Sequence, residues 1–275
     1  MLTNLRLMQI YGVLRLELTK TFLSRRGLWV YLLAFSPIIL FAGHSLQMIT
    51  TGRPCDFGLD TTIFASVFQF FYLRLGIFFG CLGIFMNLFR SEVLDKSLHY
   101  YFLSPIRREV LMAGKFLAGL CAAILTYCLS TVLQFAALYA HFPLSTMQEY
   151  LWRNHGFQHL LAYVGVTALA CIGYGSVFLT AGILVRNPII PAAVLLVWEA
   201  INPFLPAVLK KFSVIFYLKG LCPVDVPMSG SLSLIEVLTN ATPAWIAIPG
   251  LLILTVVVLA LACFSVRRME VSYGE

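Results

Sequence analysis

Charge is what this chain of 275 residues has least of: Lys, Arg, Asp and Glu make up only 11% of it, against roughly 25% in an average soluble domain. Such scarcity excludes an ordinary water-soluble enzyme, whose surface needs polar side chains to cover it. The sequence also lacks a soluble domain, a low-complexity tract and an internal repeat. It carries no Gly-x-x-x-x-Gly-Lys-[Ser/Thr] phosphate loop, because Gly114-Lys115 is followed by Phe116 and has no earlier glycine at the required spacing. Its basic residues form no aromatic-interleaved patch of the kind that binds nucleic acid, so the net charge of +7 reads as topology and contact with anionic lipid. Hydrophobic residues, by contrast, are 60% of the chain. They fall in blocks of about twenty or more, the helix length that crosses a bilayer core of roughly 30 Å.

The pattern predicts a single all-α polytopic membrane domain over 1–275 with six spans, at 28–49, 63–89, 113–140, 160–185, 189–209 and 245–266. An even number places both termini on one side. Segments 1–27, 90–112 with Lys115, 186–188 and 267–275 hold 13 of the 19 basic residues, and the opposite loops 50–62, 141–159 and 210–244 hold 5. By the positive-inside rule both termini are expected in the cytoplasm, with a bacterial inner membrane as the setting. Residues 1–27 are predicted to form an amphipathic interfacial helix, with Leu7, Ile10, Tyr11, Leu14, Leu18 and Phe22 on one side and Arg6, Gln9, Glu17, Lys20 and Ser24 on the other. No A-x-A cleavage site follows it. The fifth span contains Pro191, Pro203 and Pro206 and is expected to break near Asn202-Pro203. The segment 210–244, interrupted by Lys210, Lys211, Lys219, Pro223 and Pro227, is expected to form re-entrant or interfacial outer helices.

The most informative stretch runs from Arg90 to Lys115 and holds 8 of the 31 charged residues. A passive connector needs no such density, although a basic segment that only fixes orientation is the plain alternative. Ser91 is expected to cap a short helix to about Phe102, with Glu92 and Asp95 in its first turn. Ser104 is expected to cap a second helix with Pro105 at its first position and Gly114 as a bend. The string FRSEVLDKSLHYYFLSPIRREVLMAGKFLAG resembles the signature region of ABC-2 type transporter permeases, in which an acidic residue, a short helix, a Ser/Thr-Pro turn, a basic residue and a Gly-Lys pair precede the third span. Length, six spans, cytoplasmic termini and an elbow helix extend the resemblance over nearly the whole chain. It departs from the common pattern where Asp95, Lys96, Ser97 and Leu98 are followed by His99, Tyr100 and Tyr101.

The resemblance implies a permease subunit of an ATP-binding-cassette exporter that dimerises, as homo- or heterodimer, and docks a separate ATPase subunit through the loop between spans two and three. ATP and Mg would be bound by that partner, and this chain would be no enzyme and hold no cofactor. By the same analogy Glu92, Asp95 and Lys96 belong to the coupling helix, and Pro105, Arg107, Arg108, Glu109, Gly114 and Lys115 to the turn and re-entry.

Polar residues at membrane depth suggest a second class. Arg74, with Gln69 before it in the second span, and Glu199 in the fifth are expected to face the bundle interior as a structural ion pair or as part of a translocation path, since a central charge costs about 2.5–3.5 kcal/mol on insertion scales. An ion-coupled secondary transporter using Arg74 and Glu199 is the alternative function. An intramembrane enzyme ranks below both, because His44, His99, His141, His155 and His159 fall in loops or near span ends. His155 and His159 lack further metal ligands and read as solvated loop residues. Five cysteines lie in spans as packing residues, whereas Cys55 and Cys222 fall in outer loops where they could form a disulfide.

Overall fold

In the computed structural model, residues 11, 12, 14, 15, 27–52, 56–94, 107–185, 187, 189–226 and 242–268 are described, without the side chains of 89–94 and 203. Among them the regular structure is entirely helical. The elements are α1 (Leu28–Thr51), α2 (Phe57–Ser66), a π-helical stretch (Val67–Ile77), α3 (Phe78–Leu94), α4 (Arg108–Tyr139), α5 (Leu144–Arg153), α6 (Gly156–Leu184), α7 (Ile189–Ile201), a 3₁₀ turn (Asn202–Phe204), α8 (Ala207–Lys210), α9 (Val214–Lys219) and α10 (Ala244–Arg268). Among the described residues five helical passages are long and apolar enough to cross a membrane: α1, the run from Phe57 to Leu88, α4, α6 and α10. The predicted amphipathic helix 1–27 lies almost wholly outside the described residues, of which Tyr11, Gly12, Leu14 and Arg15 have helical backbone.

The predicted fifth span does not form one helix. α7 ends at Ile201 after 13 residues, about 20 Å at 1.5 Å per residue, which is short of a bilayer core. Proline is the cause: Pro203 and Pro206 lack the N–H groups that would continue the ladder, and the chain turns through the 3₁₀ segment and into α8. The predicted break near Asn202-Pro203 is thus where the helix stops. A further element was missed, since α5 occupies the predicted loop 141–159. It is amphipathic, with Tyr150 buried and Trp152 exposed, and its inner ring stacks on Phe57 at 4.8 Å.

α6 is the hub of the packing, lying against α3, α4, α9 and α10. It runs parallel to α10: Gly173 sits against Leu251, and seven residues further along both helices Thr180 Oγ1 donates to Val258 O. α9 runs the other way beside α10, because Gly173 also meets Val214, Gly250 meets Tyr217 and Gly220 meets Thr242. The large buried side chains are mostly aromatic, with Phe64 and Phe68 edge-on to Tyr163 and Phe78 edge-on to Phe178. Polar groups join the helices from within. Ser130 Oγ donates to Ala34 O on α1, and Thr131 and Thr167 hydroxyls meet at 3.0 Å between α4 and α6, the kind of interhelical bond that holds membrane bundles together. Exposed apolar residues such as Ile39 and Leu40 on α1, Val194 and Val197 on α7, and Ile253 and Val256 on α10 face outward.

Candidate functional site

The stretch between α3 and α4 is where sequence places the coupling residues. α3 continues to Leu94 as one helix, so Ser91 lies inside it rather than capping a new one. Glu92 is on that helix, while Asp95, Lys96 and Pro105 fall outside the described residues. α4 begins at Arg108, with Arg107 in extended backbone at its N-cap. This corrects the expectation of a helix running on from Pro105. α4 then passes without interruption through Gly114 for 32 residues, about 48 Å.

The first turn of α4 is tied to the last turn of α10. Arg108 Nη1 donates to Arg267 O at 3.2 Å and to Val266 O at 3.4 Å, and Glu109 forms an ion pair with Arg267. Arginine suits this position because its fork of donors can engage carbonyls left free at a helix C-terminus. Two turns further on, Lys115 is fully buried and its Nζ donates to Leu88 O on α3 at 2.9 Å. Gly114 is buried beside it. The described part of the coupling set therefore reaches two other helices: Lys115 holds α4 to α3, and Arg108 with Glu109 holds α4 to α10.

The second candidate set divides. The π-helical stretch carries both Gln69 and Arg74, and π turns recur at functional sites. Tyr127 of α4 packs against its C-terminal end: the Tyr127 hydroxyl donates to Gly76 O at 3.1 Å, and Tyr72 donates back to Tyr127 O at 2.7 Å. Gly80 makes room for the wedge, since a Cβ there would stand 1.5 Å from the Tyr127 hydroxyl. Gln69 Nε2 donates to Val224 O at 2.8 Å and so holds the segment after α9.

Arg74 and Glu199 do not form the expected ion pair, although their charges lie within interaction range. Arg74 stands over the Phe70 ring at 5.7 Å. Glu199 instead caps α9: it accepts from the Ser213 hydroxyl, from Val214 N at 3.0 Å and from Ile215 N at 3.2 Å. A carboxylate at free N–H groups and the positive end of a helix satisfies the rule for N-termini, here with a residue 14 positions upstream. The alternative of an ion-coupled transporter built on a direct Arg74–Glu199 pair thus loses that pair.

Sequence reasoning passed over one constellation. His44 on α1, Asp60 on α2 and His141 after α4 converge, with His44 Nε2 at 3.0 Å and His141 Nε2 at 3.1 Å from the two Asp60 carboxylate oxygens. Ser45 joins them, its Oγ 3.3 Å from His141 Nδ1. Serine, histidine and carboxylate therefore do converge at one depth, contrary to the expectation from their positions near span ends. Their only sequence signal was that all lie close to span ends on the same side. The arrangement does not supply a nucleophile: Ser45 is buried and directs its hydroxyl to Ala137 O and Leu138 O at 2.6 and 2.7 Å.

His155 is exposed in left-handed backbone at the start of α6, whereas His159 lies inside that helix and its Nδ1 is buried without a hydrogen-bond partner. No three His, Cys, Asp or Glu among the described residues are arranged to hold a metal ion. Cys55 lies outside the described residues. Cys222 is a free thiol with Sγ 3.7 Å from Leu218 O. Burial pushes it up to about 12, with Asp225 adding to the rise and Lys219 opposing it. No known family profile matches the chain, nor does any curated protein.

Proposed function

We propose that this chain is the membrane permease subunit of an ATP-binding-cassette exporter of the ABC-2 type, working as a dimer with a separate ATPase in a bacterial inner membrane. The observation that carries the reading is the charged segment from Arg90 to Lys115. It joins two helices of the packed centre, and its far end is fastened through Arg108 and Glu109 to the last helix. A push delivered to this segment by a closing ATPase would reach α3, α4 and α10 together, and rigid helices would carry it toward the other end of the bundle. The chain would hydrolyse nothing itself, and ATP and Mg would be bound by the partner.

Six passages are part of the same proposal. Helices α6 and α10 run parallel, so the intervening chain must return across the bundle between them. α7 and α9 make that return as two half-helices joined where Glu199 caps Val214 and Ile215. Six passages put both termini on the side of Arg108 and Arg267, the basic and therefore cytoplasmic side. The outward apolar faces of α1, α7 and α10 offer surface to lipid and to a second permease subunit.

The test is co-purification with an ATP-binding-cassette ATPase encoded beside this chain. Glu92→Gln with Asp95→Asn should weaken recovery of the ATPase at least tenfold and abolish stimulation of its turnover. Unchanged recovery and stimulation would sink the coupling assignment.

A further inference from the structure

At the end of the bundle opposite Arg108 and Arg267, Asp60 lies between two imidazoles. Its side chain is 2% exposed and that of His141 1%. His44 Nε2 is hydrogen-bonded to Asp60 Oδ1. On the other side, Asp60 Oδ2 and His141 Nε2 are 3.1 Å apart without hydrogen-bond alignment, and neither atom has another partner. The second nitrogen of the His141 ring decides what this contact is. Nδ1 lies 2.9 Å from Leu138 O and 3.3 Å from Ser45 Oγ. Ser45 has a single proton, directed at the carbonyls of Ala137 and Leu138, so it meets Nδ1 as an acceptor. Nδ1 must carry the ring hydrogen. In the neutral ring, Nε2 then carries no hydrogen and stands 3.1 Å from a buried carboxylate oxygen, a contact of two electron-rich atoms that one proton converts to attraction.

We propose that His44, Asp60 and His141 form a proton-binding site that locks α1, α2 and the end of α4 together, with the proton held on His141 Nε2 against Asp60 Oδ2. Imidazole is a stronger base than a carboxylate, so the proton rests on the ring. His44 donates its single Nε2 hydrogen to Oδ1 and needs no second one. Loss of the proton leaves two electron-rich atoms in contact and frees the turn after α4 from α2. The other ionisable groups packed here are Tyr139, bonded to the Thr61 hydroxyl, Tyr150 of α5, stacked with Phe57, and Asp56, which caps α2 through Gly58 N. Among the described residues no Lys or Arg pairs with Asp60, so no fixed cation replaces the proton.

The full chain, labelled with ¹⁵N-histidine and carrying His99→Gln, His155→Asn and His159→Gln, leaves only the two rings of the cluster. Asparagine respects the left-handed backbone at 155. Near neutral pH, one ring should show both nitrogens protonated, and adding Asp60→Asn should return it to a single tautomer. Two neutral rings would overturn the proposal. If Asp60→Asn does not fold, hydrogen exchange at residues 137–142 of the unaltered chain decides: corrected for intrinsic rates, it should rise several-fold as the pH is raised and the ring proton is lost, and exchange independent of pH overturns the lock. Stoichiometric zinc in the purified chain, lost with His44→Gln, would also overturn it in favour of a metal site.

Discussion

Glu199 holds the N-terminus of α9 with both carboxylate oxygens, which separates its role from that of Arg74. Glu199→Ala should lower stability by about 1 kcal/mol, the usual cost of losing an N-cap, and Arg74→Met should cost less because Arg74 leaves no ion-pair partner behind. Thermal unfolding of the two variants in detergent checks the order, and equal losses would restore the pair. Cys222 offers a second test. A thiol pushed up to about 12 remains protonated where a free cysteine, near 8.5, already ionises. Its alkylation by iodoacetamide at about pH 9 should therefore be at least tenfold slower than that of free cysteine. By the same sign, the stabilisation from burying the neutral thiol is complete below about pH 8.5 and disappears as pH rises toward 12. At this scale sequence gave residue types but not partners. That Arg74 and Glu199 were unusual followed from charge at membrane depth; that Glu199 would find backbone N–H groups depended on a turn at Ser213 that carries no periodic signal.

Among the elements, the long helices were legible and their interruptions less so. Hydrophobic length alone placed α1, α4, α6 and α10 within a few residues, because a bilayer imposes a minimum run that leaves little choice. The π-helical stretch was invisible to hydrophobic length, and Tyr127 of another helix wedges against its end at Gly80. Gly80→Ala should accordingly cost about 1–3 kcal/mol through overpacking, whereas Gly43→Ala, where nothing lies within 4 Å of the added carbon, should leave thermal stability unchanged. α5 was missed for a different reason: it is short and polar on one side, and it is held by rings from Phe57, Tyr139 and Phe142 that meet only in the folded chain.

For the whole molecule, the parallel course of α6 and α10 is the observation on which the proposed six-passage topology rests, and it could not be read from composition. Reporter fusions to residue 224 and to the C-terminus should lie on opposite sides of the membrane, with the C-terminal one on the side of Arg107. Reporters on one side would remove the broken fifth passage. The count of basic residues had already favoured this arrangement, because positive charge is selected along the chain rather than in space. The clasp of Arg108 and Glu109 on Arg267 was hidden, joining residues about 160 positions apart whose charges looked independently topogenic.

The two-piece return between α6 and α10 also bears on how the protein is made. A segment holding Glu199, Lys210 and Lys211 together with three prolines is a poor substrate for partition from the translocation machinery into lipid on its own. Its packing beside α10, where Gly250 meets Tyr217, forms only once that later helix has been made. Integration of this segment should therefore wait for α10, with ribosome-released chains truncated before residue 244 leaving 189–224 unintegrated while the four earlier passages are already embedded.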